Sequence, residues 1–246
     1  MQILLSLLFL TLTGFFIAEE RTFPDHLVPE RSVFEPIGNR FSSYYALVSS
    51  IHLLREPEGV VSRVFVLPSW GTEYFVAAYE ADGGHRIRIQ IPSIQIWGYD
   101  KREMLKSGQV LVIDETGRKK DEDRIGDLDE VLPDDPRDIE VHVCDLEISD
   151  RSAAVYLSVT NQLLSEVRYP DSQRLGLDGT TYHFGAYGES GYRVGKIWSP
   201  PALSKVGRMA AVVRNLKQAC FKVQSGDQSN GSALDDQWIQ PIENGR

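Results

Sequence analysis

Three segments between residues 60 and 92 alternate apolar and polar side chains with a period of two, and few folds accommodate that pattern. VVSRVFVLP and TEYFVAAYEA flank the turn sequence PSWG, and DGG at 82–84 leads into HRIRIQIP. A period of two is typical of β-strands, because successive side chains point to opposite faces of a sheet. The short Gly- and Pro-containing connections join such strands as antiparallel hairpins. The chain is therefore expected to build an antiparallel sheet.

Three further segments repeat apolar side chains every three or four residues, which is the period of an α-helix. They are residues 41–54, 149–169 and 203–221. We expect Ser149 or Ser152 to cap the second helix, and Ser199, which precedes two prolines, to cap the third. Strands and helices together predict an α+β fold of antiparallel β-hairpins with amphipathic helices packed on one side. The second half is ordered β-α-β-β-α.

Changes of composition divide the chain into segments. Residues 114–138 are almost entirely polar and acidic, which is typical of a connection between two modules. The residues after 222 are rich in Gln, Ser, Gly and Asp, a composition that predicts disorder. We predict a signal peptide at 1–18, an extended lead-in at 19–40, an N-terminal α/β-hairpin module at 41–113, an acidic linker at 114–138, a β-α-β-β-α module at 139–221 and a disordered tail at 222–246.

The N-terminal run MQILLSLLFLTLTGFFIA contains no charged side chain, and the polar sequence EERT follows at once. This pattern is typical of a secretory signal peptide, and we expect cleavage near Ala18. The alternative is a retained membrane anchor, because about 17 apolar residues just span a bilayer. Cleavage predicts a periplasmic or secreted protein that is not associated with a membrane.

The charge balance and the missing motifs argue against several classes of protein. The formal net charge is -9, whereas a nucleic-acid-binding surface needs an excess of basic side chains. The sequence contains no G-x-S-x-G, no H-E-x-x-H, no C-x-x-C and no Walker loop. We therefore expect no nucleic-acid partner, no metal ion, no cofactor and no assigned catalytic residue.

The chain has two cysteines, Cys144 and Cys220, and two explanations of them stay open. In an exported protein, an even pair predicts a disulfide, here between the strand at 139–148 and the last helix. Alternatively, His142 lies two residues before Cys144 on the same strand face and activates it as a thiolate nucleophile. We favour the disulfide, because it uses both cysteines.

Residues 177–201, LDGTTYHFGAYGESGYRVGKIWSPP, predict two strands with a Gly-rich link, followed by a helix. Tyr182 and Phe184 share one strand face and are expected to pack under the last helix. Side chains that point the other way, or that lie in turns, stay accessible to a partner, and aromatic residues there are common interface anchors. The candidate partner-binding residues are Trp70 in PSWG, His183, Tyr187 and Arg193.

The motif LDGTTYHF, followed by WSPP and a helix, resembles the C-terminal part of uncharacterised exported proteins of Gram-negative bacteria. The resemblance covers roughly the last third of the chain, and its motif is short. It implies a periplasmic setting and a β-β-α end, and it transfers no catalytic residue.

These observations lead to one expected function and two alternatives. We expect an exported, non-catalytic protein that binds a protein partner, such as an inhibitor or immunity-type protein. The first alternative is a periplasmic hydrolase that uses His142 with Cys144, or His183. The second is a small-ligand binding protein with a pocket between sheet and helices. Enzymatic activity is therefore left open, with binding preferred.

Overall fold

The computed structural model describes residues 25–31, 33–34, 42–97, 133–169, 178–188, 191–225 and 236–243. The predicted signal peptide lies outside these ranges. So do most of the predicted lead-in, most of the acidic linker and residues 226–235 of the tail.

A six-stranded antiparallel sheet forms the centre of the protein. Its strands are β1 (Val60–Pro68), β2 (Tyr74–Ala81), β3 (Gly84–Pro92), β4 (Val141–Ile148), β5 (Thr180–Gly188) and β6 (Gly191–Trp198). They lie in the order β4-β3-β2-β1-β5-β6. The alternating segments at 60–92 therefore supply three adjacent strands of the sheet, and the predicted α+β class is confirmed.

The turn between β2 and β3 shows how local sequence sets the strand register. Asp82 and Gly83 both have a positive φ, 54° and 75°. Positive φ at both central residues defines a type I′ turn, which favours Asp-Gly and twists in the same sense as the flanking strands. Ala81 pairs directly with Gly84, so the apolar faces of the two strands coincide.

One face of the sheet is covered by α2 (Asp150–Ser165), α3 (Lys205–Gln224) and the short helix α4 (Gln240–Glu243). Ser149 caps α2 as expected, accepting a hydrogen bond from the backbone N–H of Ser152 at 3.1 Å. Ser204, and not Ser199, caps α3. The reason is that Ser199 has a φ of 42°, and its Oγ accepts the N–H of Thr180 instead.

The larger apolar core lies between these helices and the sheet. Its fully buried members include Val64, Val76, Ile89, Phe184, Val206, Val213 and Leu216. Each fully buried side chain of this size contributes about 1.5–3 kcal/mol relative to an exposed one. Tyr182 and Phe184 belong to this core, so their predicted position under the last helix is confirmed.

The opposite face of the sheet is covered by α1 (Ser42–Leu53). Val48 and Ile51 of α1 pack there against Phe65 and Phe75. The expected placement of helices on one side therefore describes α2 and α3 but not α1. The physical reason is visible in β2, which is buried at six consecutive positions, since a strand that is apolar on both faces must be covered on both.

Strands from both predicted modules belong to the same sheet. β4 pairs with β3, and β5 pairs with β1, so residues 139–221 do not form a separate sheet. A three-stranded sheet of β1–β3 would leave unpaired backbone N–H and C=O groups along two edges. The strands of the second half occupy those edges.

Cys144 on β4 and Cys220 on α3 lie at disulfide distance, with their Cα atoms 5.7 Å apart. Both side chains are buried. The structure thus agrees with the predicted disulfide, which ties α3 to an edge strand of the sheet.

The C-terminal tail departs from the predicted disorder where the structure describes it. Residues 236–239 form a 3₁₀ turn that continues into α4. Trp238, Ile239 and Ile242 are buried against the larger core. The prediction used average composition, which conceals three apolar side chains at helical spacing. Among the helices of the described ranges, none has the length and apolar character that a membrane span requires.

Candidate functional site

A groove of about 250 Å³ opens at one end of the sheet, between the β1–β2 turn and the C-terminal half of α3. The turn, the starts of β2 and β5, and one face of α3 line it. Its charged and aromatic lining residues are Trp70, Tyr74, Tyr182, Arg214, Lys217 and Phe221. We call this feature the Trp70 groove.

Trp70 stands at the rim of the groove with 81% of its surface exposed. The turn that presents it contains Gly71 at a φ of 104°, a backbone conformation that favours glycine. The indole N–H of Trp70 donates to Asp178 Oδ1 at 2.9 Å. The N–H of Ser69 donates to the carbonyl of Gly179 at 2.7 Å. The indole is therefore oriented without being covered.

Two cations line the groove on the side of α3. The Nζ atom of Lys217 lies 4.4 Å from the ring centroid of Tyr74 and 5.9 Å from that of Phe221. Nη1 of Arg214 donates to the hydroxyl of Tyr182 at 3.0 Å. Within the described residues, neither cation has a carboxylate at salt-bridge distance. Both charges are thus available to a ligand.

The partly buried environment of Lys217 disfavours the charged form of its amine. Burial lowers the pKa of the Lys217 amine, and the negative charge of Glu73 opposes that shift. A cation that has lost part of its water and has no carboxylate at salt-bridge distance is stabilised when a carboxylate approaches.

The floor of the groove is aromatic and uncharged. Tyr74 and Tyr182 are buried. Burial raises the pKa of Tyr74 well above its usual value, so its hydroxyl stays protonated at neutral pH. The floor is therefore closed by aromatic rings, and it brings no negative charge that would repel an anion.

The helix α3 places the charged and aromatic members of its groove lining on one face. Arg214, Lys217 and Phe221 stand at positions i, i+3 and i+7, which lie above one another on a helix. Sequence analysis missed these residues because it followed only the apolar stripe of the helix. The available signal was a second, basic and aromatic stripe beside it.

The four predicted partner-binding residues do not form a single site. Trp70 follows the end of β1, beside the start of β5. Tyr187 lies at the other end of β5, roughly 20 Å away at about 3.3 Å per residue. Arg193 is exposed and lies near Tyr187 along the strand. It belongs to the opposite face, because it pairs with Ala186 of the larger core.

Tyr187 packs against its own hairpin. It is 54% exposed, and its ring centroid lies 4.8 Å from that of Tyr192. The guanidinium carbon of Arg63 lies 5.7 Å from the ring of Tyr187, and Nη2 of Arg63 donates to Glu56 at 2.7 Å. This basic side chain is thus already paired, unlike those of the Trp70 groove.

The prediction that His183 points to an accessible surface is wrong, because α1 covers that face of the sheet. His183 is fully buried, and the ring of Tyr45 lies 5.6 Å away. Burial lowers the pKa of His183 to about 3, and the charge of Lys196 adds to the shift. Neither ring nitrogen has a hydrogen-bond partner among the described residues. The imidazole is therefore neutral and out of reach of a partner or substrate.

The residues proposed for catalysis are not arranged for it. Cys144 is paired with Cys220, so it offers no thiolate, and His142 is exposed on the edge strand β4. Within the described ranges, no group of three or more His, Cys, Asp or Glu side chains is placed to hold a metal ion.

Comparisons of the chain with protein-family models, with curated proteins and with solved structures found no match. Function is therefore inferred from the Trp70 groove itself. It joins an exposed indole, two cations and an aromatic floor, and its lining contains no Asp, Glu, His, Ser or Cys.

Proposed function

We propose that this chain is an exported, non-catalytic protein that binds a protein partner, and that the Trp70 groove is the binding site. One observation carries the proposal: Trp70 is 81% exposed, yet a hydrogen bond to Asp178 holds it at the rim of a concave surface. Tryptophan is highly buried on average, and it is enriched among the residues that dominate binding energy at protein interfaces.

Three further observations support the proposal. The pairing of Cys144 with Cys220 is compatible with an oxidising compartment such as the periplasm. The groove, at about 250 Å³, is smaller than typical small-molecule pockets of about 300–1,000 Å³, and it suits one or two side chains of a partner. Cys144 is paired with Cys220 and His183 is buried, so neither is available as a catalytic group. This favours binding, as in an inhibitor or immunity-type protein, over hydrolysis.

Site-specific photo-crosslinking in the source cell tests the proposal. A photoreactive phenylalanine analogue replaces Trp70 in one variant and Tyr187 in a matched control, since both are exposed aromatic residues at opposite ends of β5. We expect a partner to crosslink at position 70 and not at 187. With the purified partner, Trp70→Ala is expected to weaken binding by about 2 kcal/mol, roughly 30-fold.

Equal crosslinking at the two positions, or unchanged affinity of Trp70→Ala for the captured partner, would contradict the proposal. Thermal unfolding of Trp70→Ala is the control, because an exposed side chain changes stability by less than about 0.5 kcal/mol.

A further inference from the structure

We propose that the Trp70 groove recognises an acidic side chain flanked by apolar side chains in a segment of the partner, with Arg214 and Lys217 as the ligands of the carboxylate. The inference rests on the proposed function only in assuming that the ligand is a protein segment.

Both cations of the groove have N–H donors that remain for a ligand. Arg214 has five N–H donors, and the bond to Tyr182 uses one of them. Lys217 has its amine over the ring of Tyr74 and no carboxylate partner among the described residues. Charge-assisted hydrogen bonds from such groups to a carboxylate are shorter and stronger than neutral ones. A single carboxylate has two oxygens, so it can accept a hydrogen bond from each of these side chains.

The net charge of the chain is opposite in sign to the charge of the groove. The formal net charge of the chain is -9, so the chain as a whole does not attract an acidic segment. Unpaired cations within a concave, partly desolvated site concentrate attraction at one place. The same contrast sets the orientation of the bound segment, since electrostatic complementarity contributes more to specificity than to affinity.

Aromatic side chains line the groove together with the cations. Trp70 and Phe221 are 81% and 47% exposed, and Tyr74 and Tyr182 supply the floor between them. Apolar side chains next to the acidic residue would cover this ring surface and exclude water from the ion pair. The exclusion of water strengthens the ion pair, because the local dielectric constant falls.

Two short peptides that differ by one charge test the inference on the unaltered protein, and a variant is needed only to assign the resonance. The probes are acetyl-Leu-Glu-Leu-amide and acetyl-Leu-Gln-Leu-amide. Binding is followed by the ¹H–¹⁵N resonance of the Trp70 indole, assigned with Trp70→Phe. We expect the glutamate peptide to bind at least about tenfold more tightly, a difference of 1.4 kcal/mol, and to weaken as salt is added.

Protein variants then locate the contact. Lys217→Gln and Arg214→Gln are each expected to weaken the glutamate peptide at least about tenfold. Lys205→Gln is the matched control, because Lys205 stands on the same helix but is already paired with Glu166 at 2.9 Å. It makes the same change of charge outside the groove and is expected to change the affinity less than about twofold.

Several outcomes would overturn the inference. They are equal binding of the two peptides, no shift of the Trp70 indole at saturating solubility, and equal losses in Lys217→Gln and Lys205→Gln. Tighter binding of acetyl-Leu-Leu with a free terminal carboxyl would assign the groove to chain termini instead. If position 70 crosslinks a partner whose affinity Lys217→Gln leaves unchanged, only the carboxylate assignment fails. If the glutamate peptide binds while no protein crosslinks, only the protein-binding function fails.

Discussion

Opening the Cys144–Cys220 pair is expected to lower the free energy of unfolding by about 4.5 kcal/mol at 25 °C. The two residues are 76 positions apart in the sequence. In the chain-entropy model, a link across that length removes close to 15 cal/mol/K of entropy from the unfolded chain. The folded state changes little, because β4 keeps its pairing with β3 and α3 keeps its buried apolar face.

Thermal unfolding followed by circular dichroism measures the effect. A domain of this size loses about 2–4 °C of Tm per kcal/mol, so reduction is expected to lower Tm by roughly 9–18 °C. The double variant Cys144→Ala/Cys220→Ala should unfold near the temperature of the reduced protein. Reductant should leave the Tm of that variant unchanged, which controls for effects of the reagent itself.

A Tm that falls by less than about 3 °C on reduction would refute the reasoning, since the link would then not restrict the unfolded chain. Two alkylatable thiols in the native protein would refute its premise. A free thiol at Cys144 would also restore the nucleophile that the hydrolase alternative requires.

Three other predictions concern buried and paired side chains. The pKa values of His183 and His52 are lowered to about 3 and about 4 by burial. Both stay neutral when folded and gain a proton when unfolded below pH 6.5, so stability should fall by up to about 1.4 kcal/mol per pH unit per histidine towards pH 4. Urea unfolding at several pH values measures this dependence. The free energy of unfolding should depend less steeply on pH in His183→Leu, and an unchanged pH dependence would contradict the prediction. Arg88→Met should lower the free energy of unfolding by about 1–2 kcal/mol, because it removes the two hydrogen bonds from the guanidinium to Asp145. The nearest carboxylate to Arg86 is 3.9 Å away, so Arg86→Met should lower the free energy of unfolding by less. Equal losses for the two variants in chemical denaturation would contradict a stabilising role of the Arg88 hydrogen bonds. Trp238→Ala should cost about 3–5 kcal/mol, whereas a dispensable tail would give no change in Tm.

Local chemistry made much of the fold predictable. The Asp82-Gly83 turn, the Ser149 cap and the apolar stripe that carries Val213 follow from interactions between residues close in the chain. The disulfide was predictable for a different reason, since there were only two cysteines to pair. The signal peptide at 1–18 and the periplasmic location stay predictions.

The candidate site was predictable only in part. The sequence predicts Trp70, in its Pro- and Gly-flanked turn, as a candidate interface residue. It does not predict Arg214 and Lys217, because a basic side chain on a helix is usually a solvated surface residue. Only their position opposite Tyr74 and Tyr182, on strands distant in sequence, shows that these cations face a groove.

Side-chain periodicity and turn composition determined, without further information, the kinds of element, their order along the chain and the α+β class. These features depend on backbone geometry and on energies within a few residues. The tertiary structure alone decided that β4 and β5 join β3 and β1 in one sheet, that α1 covers the second face and that His183 is buried beneath it. Those outcomes follow from the burial of apolar faces and the pairing of strand edges between segments distant in sequence. The local sequence pattern does not indicate which distant segment will cover a given face or pair with a given edge.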